Sequence, residues 1–157
     1  MDKLEFNRLA GLYMDTVYRV ARAGSRNNAD AEDITQNTFL KLLQRSKAFN
    51  DDDHARKWLI RVAVNESNQL WRRRKHEDCP ASEEEPAISD DFTEKDIELM
   101  TVIAQLPPEY RQVLHLYYFE DYRTKEIAKL LKVSDDTVRA RLSRARKTLK
   151  GLLNGDR

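Results

Sequence analysis

The sequence holds a single cysteine, Cys79. No internal disulfide can form, and a reducing, cytoplasmic setting is expected. No run of eighteen apolar residues occurs, and the start lacks a basic segment followed by an apolar one, so neither a membrane span nor an export signal is expected. Glycine is scarce, at four residues, and β-branched alternation is rare, which argues for helices over sheet. Catalytic signatures are missing as well. His54, His76 and His115 are scattered, and there is no HExxH, no cysteine pair, no glycine-rich phosphate loop and no Gly-x-Ser-x-Gly. Asp51–Asp53 lacks the spacing of a calcium loop and reads as helix capping. The expectation is a protein that is not an enzyme, with no cofactor, no metal and no small-molecule substrate.

Net charge is nearly absent too, at +1 from 28 basic and 27 acidic residues. Its distribution is far from even. Between His76 and Glu98 ten acidic residues face Lys95 alone, which leaves the rest of the chain at +10. The same stretch contains Pro80 and Pro86 and little apolar content, so it reads as a solvated, flexible acidic linker. The expected organisation is all-α: two small helical domains over 1–76 and 96–157, joined by a linker over 77–95.

Apolar residues at helical spacing place helices over Leu4–Ala23, Asp30–Lys47 and Asp53–Arg74 before the linker. After it come Glu94–Gln105, Pro108–Tyr118 with proline opening the helix, Thr124–Leu131 and Asp135–Leu153. Residues 124–150 have the shape of a helix-turn-helix, with Lys132-Val133-Ser134 as the turn. Ser134 is placed to cap the last helix, and Asp135 and Asp136 suit its positive end.

That last helix carries the densest cationic cluster. At 100° per residue Val138, Leu142, Ala145 and Leu149 form one stripe. Arg139, Arg146 and Lys150 flank it on one side, Arg141 and Arg144 on the other. Asp136, Ala140, Ser143 and Lys147 lie opposite. An apolar back, a narrow front and cations to both sides suit a helix seated in a DNA major groove. A solvated basic helix on an ordinary bundle is the plainer alternative. A second segment, "WLIRVAVNESNQLWRRRK" from Trp58, turns Leu59, Ala63 and Leu70 one way, with Ile60, Val64 and Trp71 beside them. Arg61, Asn65, Gln69 and Arg72 point the other way with Trp58 and Val62. Guanidinium, amide and aromatic groups on one face suit single-stranded nucleic acid, although tryptophans at such spacing are more often core.

"LPPEYRQVLHLYYFEDYRTKEIAKLLKVSDDTVRARLSRARKTL" resembles the C-terminal DNA-binding domain of extracytoplasmic-function (ECF) sigma factors, promoter-specificity subunits of bacterial RNA polymerase. The resemblance extends over the whole chain apart from the linker. It implies that Asp136, Thr137, Arg139, Ala140, Arg141, Ser143, Arg144 and Lys147 read the upstream (−35) promoter element. It also implies that Trp58, Arg61, Asn65, Gln69 and Arg72 meet the downstream (−10) element as its strands part, Asn65 beside a flipped base. "DAEDITQNTFLKLL" (Asp30 to Leu43) resembles the family's polymerase-binding helix, which makes Asp33, Gln36, Asn37 and Leu40 contact candidates, with Phe39 in the core. The implied partners are core RNA polymerase, through its clamp coiled coil and its flap, promoter DNA, and an anti-sigma factor. Lys132 stands where the family commonly has a turn glycine.

Two other readings compete. A self-sufficient regulator would use the helix-turn-helix on duplex DNA without polymerase, leaving the first domain without a role. An adaptor would keep the polymerase surface and bind no DNA, leaving the arginines without one.

Overall fold

The computed structural model describes residues 1–73 and 93–154. Most of the expected linker, including Cys79, lies outside the described residues, as do Arg74 and Lys75. The chain divides into two compact units, Met1–Asp78 and Cys79–Arg157. Every regular element among the described residues is an α-helix, in the order α1 (Lys3–Ala23), α2 (Asn28–Gln44), α3 (Asp52–Arg73), α4 (Glu94–Ile103), α5 (Pro108–Tyr118), α6 (Thr124–Leu131) and α7 (Asp135–Leu153). None of these helices is long and apolar enough to cross a membrane.

In the first unit α1, α2 and α3 pack against one another around Leu9, Val17, Val20, Ile34, Phe39, Leu42, Leu59, Ile60 and Val64. Each comes from the periodic stripe of its helix, as the 3.6-residue repeat requires. The α1–α2 corner is closed by polar side chains. Buried Arg22 donates from Nε to Asn28 Oδ1 at 2.7 Å and from a terminal nitrogen to the Ser25 carbonyl at 3.2 Å. Asn27 Oδ1 accepts from the Asp30 amide at 2.8 Å, capping α2. Asp51 caps α3 in the same way, accepting from the His54 amide at 2.7 Å, so the aspartate run starts a helix.

The neighbouring Asp52 does something else. Both its oxygens accept from the terminal nitrogens of Arg8 at 2.9 Å, while Arg8 also reaches Glu5 at 2.7 and 3.1 Å. This fork ties α1 to the start of α3. The Arg8 guanidinium holds the Asp52 and Glu5 carboxyls below the ordinary carboxylate range, and they in turn raise Arg8.

α2 ends at Gln44, three residues short of expectation. Arg45 leaves the helix at φ −71°, ψ 129°, because its side chain is engaged elsewhere. Its Nε donates to the Lys47 carbonyl at 2.9 Å and its guanidinium lies 4.2 Å from the centre of the Phe49 ring.

In the second unit α7 packs against α4, α5 and α6. Val138, Leu142 and Ala145 of α7 are buried, as are Val113, Leu114 and Leu116 of α5 and Ile127 and Leu131 of α6. Thr93 and Asp96 form a reciprocal capping box at the start of α4. At α6 only half of that box exists: Glu126 accepts from the Arg123 amide at 3.0 Å, and arginine has no acceptor to return. α5 buries His115, whose Nε2 meets Glu120 Oε2 at 3.1 Å and whose ring stacks on Phe119.

The turn of the helix-turn-helix is sharp. Lys132 is left-handed at φ 59°, ψ 43°, and the Val133 amide returns to the Ala128 carbonyl at 3.1 Å, closing the end of α6 in the Schellman manner. A Cβ in this region costs of order 1 kcal/mol.

Lys132→Gly is therefore expected to stabilise the full chain by about 0.5–1 kcal/mol; unchanged or lower stability in urea unfolding would contradict a strained turn. A second expectation concerns pH. Because Glu5 and Asp52 are lowered, the contribution of their bonds to Arg8 is complete above the ordinary carboxylate value of about 4. It is lost as pH falls through their lowered folded values. The gap in thermal midpoint between wild type and Arg8→Ala should thus close on acidification, and shrink with salt. A gap that is constant from neutral to strongly acidic pH contradicts this.

Candidate nucleic-acid interface

α7 presents two different faces. Val138, Leu142 and Ala145 are buried, while Asp136, Arg139, Ala140, Ser143, Arg144 and Lys147 are exposed, and Thr137 and Arg141 half-buried. The start of the helix is fixed by Ser134, whose Oγ accepts from the Thr137 amide at 3.1 Å and bonds the Thr137 hydroxyl at 2.8 Å. Ala140 and Ser143, both small, lie in the middle of the exposed face. Arg144 and Lys147 stand further along, exposed and without an ion-pair partner among the described residues.

Two of the arginines are not free. Arg146 was placed by spacing among the flanking cations. Its Nε instead donates to the Tyr118 hydroxyl at 2.7 Å, and its guanidinium lies over the Tyr117 and Tyr118 rings at 5.3 and 5.5 Å. Arg139 bonds Asp135, one turn earlier, at 3.0 Å.

On α3, Arg61, Gln69 and Arg72 are exposed and Asn65 is half-buried. At four-, four- and three-residue steps they share one side of the helix. Val62, read from spacing as belonging to this face, is buried at 9% exposure; the core of three packed helices is broader than a single stripe. Trp58 is half-buried and joins an aromatic group that the sequence reading missed. Phe49 lies 5.7 Å from it, and Arg45 covers both rings at 4.2 and 5.1 Å. His54 stacks edge-on against Phe49 at 5.2 Å, and its Nδ1 accepts from the Asn50 amide. The only sequence signal was a lone phenylalanine before the aspartate run. The loop between α2 and α3 is thereby folded beside the first turns of the Arg61–Asn65 face.

Trp71 has a separate place. Its Nε1 donates to the Gly24 carbonyl at 2.7 Å and Arg26 lies 4.5 Å above its ring, so it anchors the end of α3 to the α1–α2 corner. α2 turns Asp33, Gln36, Asn37 and Leu40 outward, Leu40 at 54% exposure. Phe39 is buried and meets Phe6 edge-on at 6.4 Å. Leu43, also exposed, extends the apolar part of this face beyond what was expected. Lys41 pairs with buried Glu66, fixing α2 against α3. No cluster of three or more metal-ligating side chains occurs among the described residues.

The family models described as Sigma-70 region 2 and Sigma-70, region 4 match residues 9–77 and 96–149. The chain is 32% identical to an RNA polymerase sigma-E factor of Streptomyces coelicolor, over 90% of this chain and 82% of that protein. It is 30% identical to the ECF RNA polymerase sigma factor SigM of Bacillus subtilis, over 91% of each. Among solved structures, the sigma factor RpoE from Bartonella quintana, solved in complex with the anti-sigma factor NepR, matches with a TM-score of 0.72 at 22% identity, over 98% of this chain and 99% of that one. CnrH, in complex with the cytosolic domain of CnrY, matches at 0.60 and 23% identity over 99% and 92%. These two likenesses are of fold.

Proposed function

The chain belongs to the sigma-70 family as an RNA polymerase sigma factor of the extracytoplasmic-function type, and from that premise we propose how its surfaces divide the work. Members of this family are non-catalytic initiation factors; the chemistry of RNA synthesis is the polymerase's. The first domain, 1–76, grips core polymerase and the separating strand. The second, 96–157, docks on intact duplex, and 77–95 connects them. The protein acts in the cytoplasm, where its template is.

The observation that carries this reading is the sorting of α7. Val138, Leu142 and Ala145 are turned inward, and Arg139, Ala140, Ser143, Arg144 and Lys147 are turned out. Asp136, Thr137, Arg139, Ala140, Arg141 and Ser143 lie along the part of the helix that faces bases of the −35 element, while Arg144 and Lys147 neutralise backbone phosphates. A DNA-bound helix needs both classes of contact, one for sequence and one for affinity.

On α3, Arg61 and Arg72 hold the backbone of the −10 strand, and Asn65 and Gln69 offer amides to exposed base edges. Trp58, stiffened by Arg45 and Phe49, is a stacking surface beside them. Extruding a base costs a few kcal/mol, which stacking and hydrogen bonds in the site must offset. Asp33, Gln36, Asn37 and Leu40 form the outward face of α2 that meets the polymerase clamp; the flap contacts the second domain. An anti-sigma factor is the further partner, in keeping with the complexes of the two structural relatives.

Purified chain added to core polymerase on genomic templates tests the proposal: transcripts from defined start points are expected. DNA binding with no dependence on polymerase would favour a self-sufficient regulator, and polymerase binding without promoter choice an adaptor. In the same assay Asn65→Ala should leave closed-complex binding intact and lower strand opening; permanganate reactivity equal to wild type would remove Asn65 from the strand-capture role. Lys147→Ala should weaken duplex binding alike for all sequences and reduce the log–log salt slope by about 1. An unchanged slope would place Lys147 away from phosphate.

A further inference from the structure

Resting on the reading of α7 as the duplex-reading helix, we propose that Asp135 is a positioning residue that sets base specificity. Its carboxylate holds Arg139 by Nε and so aims the two terminal nitrogens at a single guanine. Asp135 sits at the first turn of α7 and Arg139 one turn on. Arg139 Nε and Asp135 Oδ2 form an ion pair at 3.0 Å, with the arginine side chain 63% exposed and the aspartate 26%.

A surface ion pair of this kind adds little stability. Its consequence is geometric. Arginine presents five N–H donors in a rigid planar fork. With the Nε side set against the carboxylate, the end-on edge made by Nη1 and Nη2 faces away, and neither has a partner among the described residues. That edge matches the O6 and N7 acceptors of guanine in the major groove, whereas adenine presents an N6 donor there and is refused.

Asp135 also resists the competing outcome, in which a flexible arginine swings to the nearest phosphate. Its Oδ1 is closed off from solvent and lacks a hydrogen-bond partner among the described residues. If Arg139 departs, the carboxylate keeps no side-chain partner and faces the DNA backbone as a like charge. The same aspartate that starts the helix therefore penalises non-specific use of Arg139. Arg144 and Lys147, without such a tether among the described residues, remain general cations.

The test uses the full chain assembled with core polymerase. A promoter duplex is first selected from random sequence, and each base pair of its upstream element is then replaced in turn. Wild type should discriminate strongly at one position occupied by guanine. Asp135→Asn should lower the discrimination there by about threefold to tenfold and leave the other positions unchanged. Arg139→Ala should remove it, and adding Asp135→Asn to that variant should change nothing more.

A wild-type profile in Asp135→Asn overturns the proposal. So does an effect of Asp135→Asn that persists undiminished without Arg139, since the aspartate would then act as bulk charge. Loss of discrimination in Arg139→Ala beside a silent Asp135→Asn sinks the positioning role alone. A silent Arg139→Ala sinks the groove reading and the positioning role together.

Discussion

The burial of Val138, Leu142 and Ala145 under α5 and α6 decides where every cation of α7 points. Each fully buried aliphatic side chain is worth about 1.5–3 kcal/mol, while an exposed ion pair is worth about 0–1 kcal/mol. No combination of surface contacts on this helix outweighs two buried aliphatics, so the helix cannot roll. The face it turns outward is therefore fixed before DNA arrives. Pre-organisation of this kind lowers the ordering cost of association. The Ser134 cap and the left-handed Lys132 complete it by setting the angle at which the chain enters α7.

The first unit fixes α3 by other means. Its core residues set the rotation of the helix, and polar ties pin its length. Arg8 forks onto Asp52 at the start, Lys41 meets buried Glu66 in the middle, and Trp71 bonds the Gly24 carbonyl at the end. A charge buried without a partner is strongly destabilising, so Glu66 selects the one register of α2 against α3 in which Lys41 reaches it. Asn65 is half-buried on the exposed side of the same helix. The base-edge contact proposed for this amide gains from such support, because side chains locked in place lose less freedom on binding.

Periodicity made much of this legible. The seven helices of the described residues, the inner stripe of α7, the outward face of α2 and the caps at Ser134 and the aspartate run follow from local rules: 3.6 residues per turn, and side-chain oxygens for orphan amides. What stayed hidden depends on partners distant in sequence or on angles that a helical wheel ignores. Val62 looks polar-facing on a wheel but falls within a core made by two neighbouring helices. Arg45 ends α2 early because Phe49 offers a ring. Arg146 is claimed by Tyr117 and Tyr118, 29 and 28 residues upstream, and no spacing rule links them. Asp135 was visible as a helix starter; that its carboxylate would turn to Arg139 needed the rotamers.

These hidden contacts sort the arginines in a way that net charge cannot. Arg146 is held on an aromatic platform and Arg139 by a carboxylate, while Arg144 and Lys147 are exposed. A freely moving cation finds phosphate wherever it lies and gives affinity without choice. An oriented one has few poses and gives choice at the expense of general affinity. A balanced overall charge of +1 then makes physical sense for a promoter-selecting subunit. Strong non-specific attraction would tie the chain to any DNA; many of its cations, among them Arg8, Lys41, Arg139 and Arg146, are instead engaged by neighbouring side chains.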